Sequence, residues 1–350
     1  MNEENKKDRP FVCVRCMTFN HEAYIEDALN GFVIQQTTFP FVVAIINDAS
    51  TDKTKSVINE FVENNCIHNP KIDLRIEEYG TVLDVIVKDN PHCIFHIVHL
   101  NENHYRKKSK LPYFAKYENA AKYVAMCEGD DYWTDPLKLQ KQVDFMENHL
   151  DCTCYAHNSL LLDTKTHEIG LFNDKLLSMH DYTLEQFITR DWFTPTQSLL
   201  YRKDAYSTFA DIPGFMHGDY SILLNILLKD GAYLHYENEI MSVYRNGGWA
   251  STHFKEHDLY HDFMALLSYY KDKSNHRCDE VFDKQIDRQK QGLIQLDIYK
   301  TVLKRSRSLH VRIWHYLSRF CARIANIYGH YVYVEKRVCA PQNPNIEPLI

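Results

Sequence analysis

The 350-residue chain has no run approaching the roughly 18 uninterrupted apolar residues that a membrane-spanning helix needs. Met1 to Pro10 are polar and charged, and no apolar core of a secretory signal follows them. These two absences predict a cytoplasmic protein, free or peripheral on the inner face of the cell membrane. A surplus of positive charge is also lacking. Lys and Arg number 40 against 47 Asp and Glu, a net charge of −7. No global field therefore draws the chain to nucleic acid, and no such partner is expected. There is no internal repeat and no low-complexity segment. Met17 to Tyr24 holds no glycine, so the first strand is not followed by the glycine-rich phosphate loop usual in nucleotidyltransferases.

Cysteine is not scarce, with ten in the chain. Cys13, Cys16, Cys93 and Cys127 lie in or beside apolar, strand-like runs, where a free thiol behaves as a small hydrophobe. Cys13 and Cys16 form a C-x-x-C, and Cys152 and Cys154 a C-x-C, without the context of a zinc knuckle. Buried thiols in a reducing compartment are the expectation. Apolar residues make up 45% and charged residues 25%, an ordinary globular balance that can bury one large domain plus an appendage.

Hydrophobic patterning orders the first half. Phe11 to Met17 reads as a strand, and Glu22 to Gln35 as a helix with Tyr24, Ile25, Ala28, Leu29, Phe32 and Val33 at helical spacing. Phe41 to Ile46 is a continuous apolar run, as in a strand buried on both faces. A helix bearing Val57, Ile58, Phe61 and Val62 follows. Ile72 to Ile76, Cys93 to Val98 and Tyr123 to Cys127 are further strand candidates, with a basic loop from Asn101 to Tyr117. Thr134-Asp135-Pro136 opens a helix reaching about His149. Beyond it, Cys152 to Asp163, Ser198 to Tyr201, Ala232 to Tyr236 and Ile240 to Tyr244 read as strands, and His217-Gly218-Asp219 starts a helix. From about Phe254 the chain reads as helical. The β-α-β-α order predicts a parallel α/β sheet.

Ligands of an open parallel sheet bind beyond the carboxyl ends of its strands. Three strand ends carry polar clusters: Thr18-Phe19-Asn20, Asn47-Asp48 and Glu128-Gly129-Asp130-Asp131. All three are expected along one rim. Asp130 and Asp131 repel one another, which suits a hard cation shared with substrate phosphates; the alternative is a pair of acids favouring a helix N-terminus.

The blocks Thr18-Phe19-Asn20-His21-Glu22-Ala23-Tyr24-Ile25, Asn47-Asp48-Ala49-Ser50-Thr51-Asp52-Lys53-Thr54 and Met126-Cys127-Glu128-Gly129-Asp130-Asp131-Tyr132-Trp133-Thr134-Asp135-Pro136, with Lys138-Leu139-Gln140-Lys141-Gln142, resemble the bacterial branch of family-two glycosyltransferases, in the family's order. The resemblance covers roughly residues 10 to 150. It implies an α/β, GT-A nucleotide-sugar-binding fold, Rossmann-like with a mostly parallel sheet, and a helical C-terminal extension. Residues 10–250 would form the glycosyltransferase domain, with 10–150 binding the nucleotide sugar, 151–250 the acceptor, and 254–335 the extension.

By the same resemblance, Thr18, Asn20 and Glu22 would line the nucleotide pocket, Asp48 would contact the base, and Asp130 the ribose or sugar side. Asp131 would bind Mn²⁺ or Mg²⁺, and Glu128 takes the first acidic position of an E-x-D. Asp219 would be the general base for the acceptor hydroxyl; as a helix-start aspartate it reads equally as a cap. Met241 to Ser251 resembles a family segment in which Tyr-Arg is followed by His, but here Asn246 follows Arg245. Arg245 is read as neutralising the leaving diphosphate or as forming a salt bridge.

The implied reaction is inverting transfer of a hexose from a nucleotide diphosphate sugar, a UDP-sugar first among them. A glycan or lipid-linked glycan would be the acceptor, in cell-surface polysaccharide synthesis. A non-catalytic sugar-nucleotide-binding protein and a nucleotidyltransferase are the competing readings. Ile298 to Val334 has no acidic residue but carries Lys300, Lys304, Arg305, Arg307, Arg312, Arg319 and Arg323 among apolar residues. It suits peripheral contact with an anionic membrane, or a helix packed on the body.

Overall fold

A computed structural model describes residues 10–67, 73–104, 111–175, 177–178, 180–190, 192–205, 217–247 and 255–305. The chain opens with β1 (Val12–Thr18), α1 (Ile25–Val33), β2 (Phe41–Asn47) and α2 (Thr54–Asn65). Then come β3 (Cys66–Ile67), β4 (Leu74–Glu77), β5 (Gly80–Val87), β6 (Asn90–Leu100), α3 (Leu111–Glu118), β7 (Tyr123–Met126), β8 (Tyr132–Trp133) and α4 (Lys138–Asn148). The second half holds β9 (Cys152–Asp163), β10 (Ile169–Leu171), β11 (Asp181–Tyr182), α5 (Leu184–Ile188), β12 (Leu200–Arg202), α6 (Gly218–Leu227) and β13 (Tyr233–Asn246). Helices α7 (Glu256–Lys273) and α8 (Asp279–Arg305) close it.

All described strands belong to one sheet. Its centre is parallel, in the order β7, β1, β2, β6. Antiparallel strands extend it on both sides: β5 beside β6, and β12 beside β7. Every residue of β2 is buried, as its unbroken apolar run requires of a strand covered on both faces. Helix α1 turns Ile25, Ala28, Leu29 and Phe32 onto the sheet, and α2 adds Ile58, Phe61 and Val62. A second apolar cluster joins α6, α7 and the outer strands, so the two halves share a sheet but each has its own core.

Four local readings differ from the sequence expectation. The stretch expected as a loop to Tyr117 ends in helix α3; Arg106, Lys107, Lys108 and Lys110 lie outside the described residues. The two strands expected in 232–244 are one strand, β13, with register shifts on both sides of Ile240. Strand β5 was not anticipated, because Asp84 interrupts its apolar run; that carboxylate binds His96 Nδ1 at 2.6 Å. Helix α4 starts at Lys138, after Asp135 Oδ1 accepts the Leu137 N–H at 2.8 Å.

Among the described residues, Lys138, Arg202 and Arg245 are the buried lysine and arginines. Lys138 is fully buried, its Nζ 4.0 Å from the centre of the Trp133 ring and donating to Gln142 Oε1 at 2.8 Å. Burial pushes its amine down to about 7. Arg202 donates to Cys152 O at 2.8 Å, to the Tyr123 hydroxyl at 3.0 Å and to Met146 O, clasping the end of α4 to the sheet. Cys13, Cys16, Cys66, Cys93, Cys127, Cys152 and Cys154 are buried and unbridged, and Cys278 is partly exposed. Among the described residues no helix is long and apolar enough to cross a membrane. Most of the basic run 298–334 lies outside them.

Candidate active site

Because β1, β2 and β7 run parallel in register, Thr18, Asn47 and Met126 end on the same edge. The turns after them meet there. The loops after β1 and β2 are joined by reciprocal hydrogen bonds. Asn20 Oδ1 accepts the Thr51 N–H at 2.8 Å, and Glu22 Oε2 accepts the Lys53 N–H at 2.7 Å. In return Asp52 Oδ2 accepts the Glu22 N–H at 3.0 Å, Ser50 Oγ the Asn20 N–H at 2.9 Å, and Thr54 Oγ1 the His21 N–H at 2.8 Å. Asn20 has φ 57°, a left-handed conformation that Asn tolerates better than most residues. Thus the side chains of Asn20 and Glu22, expected to line a nucleotide pocket, accept hydrogen bonds from the loop after β2.

Asp48 is buried. Its N–H donates to Thr18 O at 3.0 Å, and its Oδ1 accepts the His104 N–H at 2.7 Å. Asn103 Nδ2 donates to Asp48 O at 3.0 Å. The Asn101–His104 segment therefore seats on the end of β2. Thr18 is buried with its hydroxyl unpartnered. A Cβ on Gly129 would lie 2.7 Å from that hydroxyl and 2.8 Å from Thr18 Cβ, so the acidic turn rests directly on the end of β1.

In that turn Glu128 is exposed, Asp130 is partly exposed, and Asp131 is 3% exposed. Asp131 Oδ1 accepts the Arg245 N–H at 2.7 Å. The Gln197 amide is satisfied with its nitrogen 3.3 Å from Asp131 Oδ2 and its oxygen accepting from Tyr244 N–H and the Ser159 hydroxyl. Burial raises the Asp131 carboxyl well above its ordinary range, and the charge of Asp130 adds to this; the Arg245 N–H only partly offsets them. His21 Nε2 lies 3.7 Å from Asp130 Oδ2; burial lowers the imidazole despite that neighbour. The outward acids are therefore Asp130 and Glu128, while Asp131 faces the interior.

Arg245 forms the salt bridge that the sequence offered as its second reading. Its guanidinium is 7% exposed, with rings of Tyr132 and Tyr24 at 4.5 and 5.0 Å. It donates to Asp130 O at 2.8 Å and pairs with Asp27. The side chain ties α1, the acidic turn and β13 together.

Asp219 lies in the first turn of α6. Its Oδ2 accepts from Thr196 Oγ1 at 2.6 Å, and its Oδ1 from the Tyr220 N–H at 2.8 Å. The neighbouring Gln197 faces Asp131, so adjacent residues of one short turn hold the two acids. Tyr244 reports the same convergence. Burial raises its phenol, and the charges of Asp131, Asp130, Asp219 and Glu128 all push it further the same way. Sequence reasoning missed Gln197, Thr196, Tyr244, Asp27 and His21. His21 and Tyr244 lie inside segments that resemble the family; Gln197, Thr196 and Asp27 do not.

No family model matches the chain. Uncharacterized protein Rv1520 of Mycobacterium tuberculosis (strain H37Rv) is 30% identical over 246 residues, which cover 68% of this chain and 60% of that protein. Uncharacterized protein Mb1547 of Mycobacterium bovis matches to the same extent. The chain thus spans 60% of the length of the curated relatives it matches. Among solved structures, TarS 1-349 of S. aureus in complex with UDP-GlcNAc is 16% identical with a TM-score of 0.47, covering 73% of this chain and 65% of that one. Mannosyltransferase PcManGT from Pyrobaculum calidifontis, in complex with GDP-Man and Mn²⁺, is 12% identical with a TM-score of 0.51, over 95% of this chain and 88% of that one. The α/β nucleotide-sugar-binding fold expected from the sequence is the fold this chain adopts.

Proposed function

We propose that the chain is a glycosyltransferase that moves a hexose from a nucleotide diphosphate sugar, a UDP-sugar first among the candidates, to a hydroxyl of a glycan or lipid-linked glycan. The supporting observation is that adjacent residues of one short turn, Thr196 and Gln197, hold Asp219 and Asp131, the latter next to Asp130 and near Glu128 in the acidic turn at the rim where a sheet of this fold binds its ligand. Thr18 and Asp48 lie beneath the nucleotide on this reading, and Asn20 and Glu22 keep the loop around it closed.

The donor set fits Mn²⁺ or Mg²⁺. Hard carboxylate oxygens are offered by the partly exposed Asp130 and the exposed Glu128. Asp131, the ligand expected from the sequence, buttresses the turn from behind through Arg245 N–H and Gln197. When bound, such a cation would stabilise charge on the departing diphosphate. Asp219 receives the proton of the acceptor hydroxyl, with Thr196 and the Tyr220 N–H fixing the carboxylate. Attack from that side opposite the leaving group gives inversion. The setting is the cytoplasmic side of cell-surface polysaccharide synthesis.

The test is release of nucleotide diphosphate across common sugar nucleotides with Mn²⁺ or Mg²⁺, with and without glycan acceptors. Acceptor-dependent release from at least one donor is expected. Donor binding with no turnover under any acceptor would favour a non-catalytic sugar-nucleotide-binding protein instead.

A further inference from the structure

A second cluster of metal-binding side chains lies away from the rim. Among the described residues, His180, His235 and Glu237 are the group of three whose ligand atoms lie within 4.8 Å of one another. His235 and Glu237 stand two apart on β13 and so share a face of the sheet. His180 immediately precedes β11, which pairs with β13 through Asp181 and His235. Arg245 lies further along β13, and over that stretch the partner strand β9 advances five residues, from His157 to Leu162, roughly 17 Å at the rise of an extended strand.

Both imidazoles are held in the tautomer that a metal requires. His235 Nδ1 lies 2.7 Å from Asp181 Oδ1, and His180 Nδ1 lies 2.8 Å from Tyr236 O. An acceptor at Nδ1 keeps the proton there and leaves the Nε2 lone pair as the donor. A carboxylate or carbonyl behind each ring is the usual support of a metal-bound histidine. The Asn238 N–H donates to Glu237 Oε1 at 2.8 Å, which orients the third ligand. The Phe145 ring stacks on His235 at 3.8 Å between centroids, and the His180 ring lies nearly parallel to it at 6.0 Å.

We propose that His180, His235 and Glu237 bind one divalent transition-metal cation of the zinc class, separate from any cation at the acidic turn. Two imidazoles and one carboxylate favour Zn²⁺, with Co²⁺ and Ni²⁺ as substitutes, over the hard Mg²⁺ that suits Asp130 and Glu128. Three protein ligands leave a position for water. Bound metal would tie the two-residue β11 to β13 and stiffen that border of the acceptor half.

The test uses full-length protein stripped with chelator and then titrated with Co²⁺ in saturating Mg²⁺, read by visible absorption and by melting temperature. One Co²⁺ per chain is expected, with a rise in melting temperature. His180→Ala and Glu237→Gln should each lose most of that affinity, and Asp181→Asn should lose about 10- to 100-fold, as for other supporting groups. His180 is exposed, so its variant should melt like wild type in chelator. Asp131→Asn should bind Co²⁺ unchanged. Wild-type Co²⁺ affinity in both His180→Ala and Glu237→Gln, or no uptake by the wild-type chain, overturns the proposal.

Discussion

On the β1–β2 side of the rim, carboxylates meet N–H donors and little else; on the β7–β13 side, they meet N–H donors and also crowd one another. Asp52 shows the first arrangement. Its slight burial would raise the carboxyl, but the hydroxyl and N–H of Thr54 and the N–H of Glu22 hold it below its ordinary value. Asp131 shows the second, raised by burial and by Asp130. The second keeps its raised carboxyl although the Arg245 guanidinium stands beside the turn. On the proposed function, the first side is the frame and the second the reaction side.

The sharpest test of that division is Asp219, on the reaction side. Asp219→Asn keeps an oxygen to accept from Thr196 or Tyr220 N–H, so folding and donor affinity should hold. Transfer should fall by roughly 10²- to 10⁴-fold, the usual range for losing a general base. Transfer rate and melting temperature are measured together. A folded Asn variant with near-normal transfer would place the base elsewhere and leave Asp219 a tie between the start of α6, where His217 is the N-cap, and Thr196.

Next in size is Arg245. Removing a cation from a buried pair commonly costs about 3–5 kcal/mol, and Asp27 is half exposed, so Arg245→Ala should cost about 2–3 kcal/mol in urea unfolding. Arg245→Lys keeps the charge but loses the two-pronged donation to Asp27 and Asp130 O, and should recover only part. If the side chain instead bound diphosphate, Arg245→Ala would unfold like wild type and lose donor affinity.

The frame was the more legible side. Thr18 to Ile25 and Asn47 to Thr54 stand in two unbroken blocks after strands whose apolar runs announce them, and local hydrogen bonds within and between those blocks make the structure. The reaction side was legible only at Glu128–Trp133. Its supports come from 64 to 114 residues further on in the chain, as the Trp133–Gln197 and Asp131–Arg245 hydrogen bonds show. No local spacing marks Thr196 or Gln197. Lys138 misleads for a related reason: in a helix with three other polar residues nearby it reads as solvated, but the Trp133 ring and Gln142 take it inside. Charge pattern states what a residue carries, and long-range packing decides where it goes.

A smaller effect separates the two sides by pH. A carboxyl raised in the folded state is stabilising only where it stays protonated. The contribution of Asp131 is full below its ordinary 3.8 and is lost as pH rises through its higher folded value. Asp131→Asn removes that loss. Without divalent cation it should be more stable than wild type at pH 7, with the difference closing as pH falls below about 4. Equal stabilities across that range would mean that Arg245 N–H and Gln197 already satisfy the charge.

The smallest effect belongs to the frame. Asn20 contributes an acceptor for Thr51, at 2.8 Å from N–H and 3.3 Å from Oγ1, and a backbone at φ 57°. Three variants separate these contributions. Asn20→Asp keeps the acceptor and tolerates the backbone, so its unfolding free energy should stay near wild type. Asn20→Gly loses the acceptor but adopts positive φ freely; the Thr51 N–H is exposed and water replaces the bond, so about 0.5 kcal/mol is expected. Asn20→Ala loses the acceptor and also strains the backbone, for a total of about 1–2 kcal/mol. The order Asp, Gly, Ala follows only if the residue serves the loop. If its amide reads the nucleotide instead, all three variants lose donor affinity together, whatever their stability. Denaturant curves and nucleotide titrations on the same three proteins distinguish the outcomes, because strain appears in the first measurement and recognition in the second.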